Sequence, residues 1–176
     1  VIATGRAKRP DDFVTKNRAK DTNPQDPFLN PEESGQEKDL LIYRQPDGEW
    51  SLRVFPNKYP AFSAGKPIRQ LSEGPYFAMS GVGYHELFVT RDAERQIGLL
   101  EEWQVAELID AYQDRYLALM HQKSVNYIQI FQNHGKEAGA SIAHPHSQLM
   151  AIPVVSPYLA LELEGAERYF RSTRTK

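Results

Sequence analysis

Two histidines and a glutamine stand at alternate positions in His144-Pro145-His146-Ser147-Gln148, directly after the small residues Gly139-Ala140-Ser141. In extended backbone alternate side chains share a face, so His144, His146 and Gln148 are expected to point the same way. A loop of small residues lets backbone N–H groups crowd toward that face. Backbone donors beside two imidazoles and an amide suit a phosphate group. A neutral imidazole is also a nucleophile at pH 7 without further activation. A lone histidine on a strand is most often an ordinary paired polar group. Several polar groups converging on one face are instead the usual signature of a site.

Such a set needs rigid elements on both sides. A β-branched and aromatic run at 125–131 leads into the loop and an apolar run at 149–155 leaves it, which reads as strand, glycine-bearing loop, strand. Upstream, the runs 40–43 and 50–55 flank Gln45-Pro46-Asp47-Gly48, a turn sequence, and predict a hairpin. The stretch 56–74 reads as loop. Residues 81–90 read as a further strand with Leu87 and Val89 on one face, and His85 near its start reads as structural. The spacing of Trp103, Ala106, Leu108, Ile109, Tyr112, Tyr116 and Met120 predicts a helix over 96–122 lying across one face of the sheet. Glu101 and Glu102 favour its positive end. Pro153 and Pro157 end the last strand, and 158–172 reads as a second helix. Residues 1–38 are polar and rich in Asp, Asn, Pro and Lys, an extended arm before a domain over 39–176.

With 176 residues the chain is long enough for one domain with a sizeable core. A net charge of −2 and a pI near 6.2 supply no field for nucleic acid or an anionic membrane. No apolar run approaches the ~20 residues that span a bilayer. The absence of cysteine removes disulfides and thiolate metal sites and fits a cytoplasmic protein. The sequence opens on Val1, as expected of a chain that starts inside its gene product.

His144-Pro145-His146-Ser147-Gln148 resembles the His-x-His-x-Gln motif of the galactose-1-phosphate uridylyltransferase family, the transferase branch of the histidine-triad superfamily. The similarity extends through Val125-Asn126-Tyr127 to Asn133, to Arg6-Ala7-Lys8-Arg9-Pro10, and to the block from Arg53 to Ala61. It spans most of the chain but only the amino-terminal half of a typical member. The hydrolase branch usually carries a third histidine where this chain has Gln148.

The resemblance implies an α+β fold, a histidine-triad-like twisted antiparallel sheet with a long helix packed on one face. It implies a nucleotidyltransferase in which His146 attacks the α-phosphorus of a nucleotide sugar and passes the nucleotide to a sugar phosphate. UDP-glucose is the default donor, and an ADP-glucose phosphorylase of the same family is the alternative. Gln148 and Ser141 would donate to phosphoryl oxygens, with Arg6, Arg9, Phe55, Asn57, Asn133, Gly139 and His144 around the substrate. Asp26-Pro27-Phe28-Leu29 falls where members carry half of a zinc site, and both cysteine positions are lost. Zinc rarely stays on one good ligand, so no metal and no other cofactor is expected. Asp26, Glu94 and His144 form a candidate hydrogen-bonded substitute. Glu162 falls where members place a carboxylate near a second metal, and here it reads as a solvated helix residue. A homodimer is expected, because half of a family active site can be completed across an interface. The competing reading is a non-catalytic nucleotide-binding domain, which would not need an intact His146 and Gln148.

Overall fold

The computed structural model describes residues 26–65, 67–135, 137–140 and 142–174. Among the described residues seven strands are formed: β1 Leu41–Arg44, β2 Trp50–Pro56, β3 Gln70–Glu73, β4 Tyr76–Met79, β5 Tyr84–Thr90, β6 Tyr127–Gln132 and β7 His146–Ile152. Five make an antiparallel sheet in the order β1-β2-β5-β7-β6, and β3 and β4 pair as a separate hairpin. The helices are α1, Glu102–Leu119, and α2, Pro157–Thr173. The α+β architecture expected from the sequence is therefore present, with α1 packed on one face of the sheet.

Local chemistry sets the element ends. The turn between β1 and β2 closes through Gly48 N–H on the Gln45 carbonyl, and Gly48 takes φ +88°, a region that favours glycine. Asp47 accepts from the Glu49 N–H and tightens it. Helix α1 starts at Glu101, whose side chain and that of Gln104 cap each other's backbone N–H groups reciprocally. Ser156 caps α2 through the Leu159 N–H, and Pro157 occupies its first turn.

The period-two alternation of the strands gives the sheet two different faces. Leu52 and Val54 of β2, Phe88 of β5, and Leu149 and Ala151 of β7 pack on Leu108, Ala111 and Leu119 of α1. Glu86 reaches the same helix and takes a two-pronged ion pair from Arg115, at 2.8 and 2.7 Å. The helix stripe differs from the one expected. Trp103, Ile109 and Tyr116 are exposed, and the sheet-facing set is Leu108, Ala111, Tyr112, Arg115 and Leu119. Helix α1 also begins later than expected, because 97–99 form a separate short turn before it. Helix α2 buries none of its residues, and Glu162 is exposed on it.

Tyr112 donates to Ser147 Oγ at 2.5 Å, tying α1 to β7 directly behind the motif. Burial pushes the Tyr112 phenol above its ordinary value near 10. A group raised in the folded state contributes stability that is whole below its unfolded value and is lost as pH rises past it. Urea unfolding from pH 8 to 11 should thus show a fall in stability above about pH 10 that is smaller in Tyr112→Phe. At neutral pH the same variant should lose about 1 kcal/mol through the missing bond to a buried hydroxyl.

Candidate active site

The face of the sheet away from α1 carries the motif residues. On β7, His146, Gln148 and Met150 alternate with the helix-facing Ser147, Leu149 and Ala151. His146 lies opposite Val89 and Gln148 lies between Leu87 of β5 and Phe131 of β6. Strand β7 begins at His146, so His146 and Gln148 sit on regular extended backbone, as expected from the sequence. Together with Phe28, Asn57, Phe131 and Asn133, they line one open cleft, closed at the side by Gly139 and Ala140. The 135–140 loop folds on itself through Ala140 N–H on the Gly135 carbonyl, with Gly135 at φ +78° and Gly139 at φ +80°. Five of the residues expected around a substrate thus share one cleft: His146, Gln148, Asn57, Asn133 and Gly139.

His146 Nδ1 is 2.9 Å from the backbone carbonyl of His144. A carbonyl only accepts, so Nδ1 carries the proton and the ring lone pair is on Nε2. Phe28 meets the ring edge-on, with centroids 5.0 Å apart and planes at 69°. The tautomer and tilt of the His146 ring are therefore both set by neighbours.

His144 does not belong to the substrate-facing set. Its side chain is fully buried, with Nδ1 2.7 Å from Asp26 Oδ2 and Nε2 2.7 Å from the Thr90 carbonyl. It lies two residues before β7, where the strict alternation does not reach, and its ring turns inward beneath Phe28. Phe55 likewise differs from expectation. It is 0 % exposed and packs under Phe28 with Leu87 and Val89, so Phe28 rather than Phe55 walls the cleft. Arg6, Arg9 and Ser141 lie outside the described residues.

Residues 1–25 of the expected arm lie outside the described residues, and the part that carries Asp26 and Phe28 is held to the sheet. Arg53 of β2, itself buried, donates from Nε to Asp39 at 3.1 Å and also pairs with Glu32. Asp26 further accepts from the Phe28 N–H at 2.9 Å, which turns the chain so that Phe28 points at the histidines.

A zinc ion does not fit the donor set around His144. Both of its ring nitrogens are committed to Asp26 and the Thr90 carbonyl. Among the described residues no three His, Cys, Asp or Glu side chains gather as metal ligands. Two members of the expected hydrogen-bonded substitute, Asp26 and His144, are joined. The third is replaced by a main-chain carbonyl, while the Glu94 N–H instead donates to Asp92.

Residues that the sequence reading passed over complete the site. Phe28 was concealed in a polar segment. His85 is buried on the site face, two residues before Leu87, the cross-strand neighbour of Gln148. Its ring nitrogen Nε2 lies 2.9 Å from Gln148 Oε1.

Comparison with known proteins places this arrangement. Residues 3–156 match the family described as galactose-1-phosphate uridyl transferase, N-terminal domain. An ADP-glucose phosphorylase of Arabidopsis thaliana is 34 % identical over 98 % of this chain and 51 % of its own length. A galactose-1-phosphate uridylyltransferase of Thermotoga maritima is 30 % identical over 72 % of this chain and 40 % of its own. The crystal structure of an Arabidopsis ADP-glucose phosphorylase with bound ADP-glucose superposes with a TM-score of 0.69, covering 98 % of this chain and 51 % of that one. The chain thus spans about half the length of these relatives. With the motif, the cleft and these likenesses in agreement, the chain belongs to the galactose-1-phosphate uridylyltransferase family and carries its amino-terminal domain.

Proposed function

We propose that this chain is the nucleotidyl-accepting part of an enzyme that moves a nucleoside monophosphate from a nucleoside diphosphate hexose to a phosphate-bearing acceptor. The observation that supports it most is the 2.9 Å bond from His146 Nδ1 to the His144 carbonyl, which puts the lone pair on Nε2 of a side chain lining the cleft. In the first step Nε2 attacks the α-phosphorus. The bond from α-phosphorus to the bridging oxygen breaks, and hexose 1-phosphate leaves with its electron pair. In the second step an oxygen of the acceptor attacks the same phosphorus, the P–N bond breaks, and the imidazole regains its lone pair. A hexose 1-phosphate acceptor yields a new nucleotide sugar, and inorganic phosphate yields a nucleoside diphosphate.

Gln148 donates to a non-bridging oxygen as charge develops, and Asn57, Asn133 and the backbone of the 139–140 loop hold phosphate and ribose. Ser141, Arg6 and Arg9 are assigned to the same phosphates by the family resemblance. The transferring half would be completed by further chain or by a second copy, as in a homodimer.

UDP-glucose is the family's default donor. ADP-glucose is favoured by the Arabidopsis relative, whose likeness covers 98 % of the chain against 72 % for the Thermotoga one. Intact-mass spectrometry after mixing with UDP-glucose and, separately, ADP-glucose decides. An acid-labile adduct is expected, and its mass names the base as uracil or adenine. Nucleotide binding with no adduct from either donor would instead establish a non-catalytic binding domain.

A further inference from the structure

The amide of Gln148 can present either its oxygen or its nitrogen to a phosphate, and only the nitrogen can stabilise developing negative charge. What fixes that choice lies on the next strand. His85 is 4 % exposed on β5, and its Nδ1 accepts from the Ala61 backbone N–H at 3.1 Å. A backbone N–H can only donate, so Nδ1 is the unprotonated nitrogen and Nε2 carries the hydrogen. Nε2–H then donates to Gln148 Oε1 at 2.9 Å. With the oxygen held, the amide nitrogen of Gln148 is turned away from His85, on a side chain that lines the cleft.

The same histidine orders a second amide. Tyr59 N–H donates to Asn57 Oδ1 at 2.9 Å, which places Asn57 Nδ2 3.3 Å from His85 Nε2. Because that ring nitrogen already bears a proton, Asn57 cannot donate to it, and its N–H groups are left for another acceptor. The Asn57 N–H itself donates to the His85 carbonyl at 2.8 Å, which ties the loop to the strand. Two amides whose oxygens are both engaged by protein donors flank one imidazole and line the same cleft as His146.

We infer that His85 is a positioning residue that fixes the Gln148 amide, through the Ala61–His85–Gln148 hydrogen-bond relay, with its nitrogen toward the phosphoryl oxygens of the nucleotide. The inference rests on the proposed role of Gln148 as donor to those oxygens. His85 is absent from the lining of the cleft. Its effect is exerted through Gln148, and that gives the test its form.

Three substitutions separate orientation from loop structure. His85→Asn retains an oxygen for the Ala61 N–H but supplies no donor at the position of ring Nε2. His85→Gln can donate from close to that position. Gln148→Ala removes the amide altogether. The initial rate of adduct formation with UDP-glucose or ADP-glucose should fall about 10²-fold in His85→Asn, the scale of one lost phosphoryl-oxygen donor. Its melting temperature should stay within a few degrees of wild type. His85→Gln should return to within about tenfold of wild type, as a conservative rescue of the same bond. The double variant His85→Asn/Gln148→Ala should be no slower than Gln148→Ala alone within about threefold, because two residues acting in series do not add.

A rate for His85→Asn within twofold of wild type, or effects that multiply in the double variant, would overturn the inference. Should wild type form no adduct, the transfer reading falls separately. The same cycle is then read on the Kd for AMP and UMP, where non-additivity upholds the relay and additivity overturns it. Side-chain 15N spectra give a further independent reading. His85 should show a protonated Nε2 and a bare Nδ1, and the opposite tautomer refutes the relay whatever the activity.

Discussion

His146→Ala is expected to abolish the nucleotidyl adduct and to slow release of hexose 1-phosphate by roughly 10⁵-fold or more, the scale on which a catalytic nucleophile is lost. The size follows from how much of the geometry is spent on this one nitrogen. The His144 carbonyl takes the Nδ1 proton, Phe28 packs edge-on against the ring, and strand pairing with Val89 fixes the backbone beneath it. Alanine leaves the surrounding strand pairing in place and removes the imidazole, and with it the Nε2 that would form the P–N bond. Nucleotide affinity should therefore change by only a few-fold, because Asn57, Asn133 and Gln148 still line the cleft. Single-turnover quench measurements with the nucleotide sugar, beside a binding titration on the same samples, check both halves. An alanine variant that still accumulates adduct would move the nucleophile elsewhere and undo the assignment.

The split between what was legible in the sequence and what was not has physical causes. Strand β7 could be read because one of its faces is buried, so His146 and Gln148 alternate visibly with Leu149 and Ala151. The β1–β2 turn could be read because Asp47 and Gly48 meet local conformational demands. Hairpin β3–β4 could not, because it is almost wholly exposed and carries no alternation. The stripe on α1 was misassigned for the opposite reason. The helix has more apolar residues than the sheet can cover, and one sheet-facing position is Arg115, visible only through its partner Glu86. His85 gave no local signal, since its partners Ala61 and Gln148 are 24 and 63 residues away. Phe28 and Phe55 are both aromatic and both in contact, at 5.9 Å between centroids. Which of them meets the cleft depends on Arg53 holding the 26–39 segment over the sheet, a long-range effect that no spacing encodes.

Asp26→Ala should cost on the order of 3 kcal/mol of stability and, in the molecules that remain folded, slow adduct formation as well. Asp26 is the only side chain among the described residues bonded to His144 Nδ1, and that nitrogen lies on a side chain with no exposure. Removing the carboxylate leaves a buried polar nitrogen without a partner, the costly half of breaking such a bond. It also frees the turn that Asp26 Oδ1 makes with the Phe28 N–H, loosening the ring that packs on His146. The same His144 supplies the carbonyl that sets the His146 tautomer, so a shift of its ring is transmitted through one residue of backbone to Nε2 of His146. Asp26→Asn should behave differently. Its amide can donate to Nδ1 of a neutral His144 whose Nε2–H still meets the Thr90 carbonyl, and its oxygen can keep the turn with Phe28. That variant should lie within about 1 kcal/mol of wild type, since one hydrogen bond replaces another. Denaturant midpoints and adduct rates for the pair of variants carry the comparison. Equal losses in both would show that charge at position 26, rather than a partner for a buried imidazole, holds this corner of the site together.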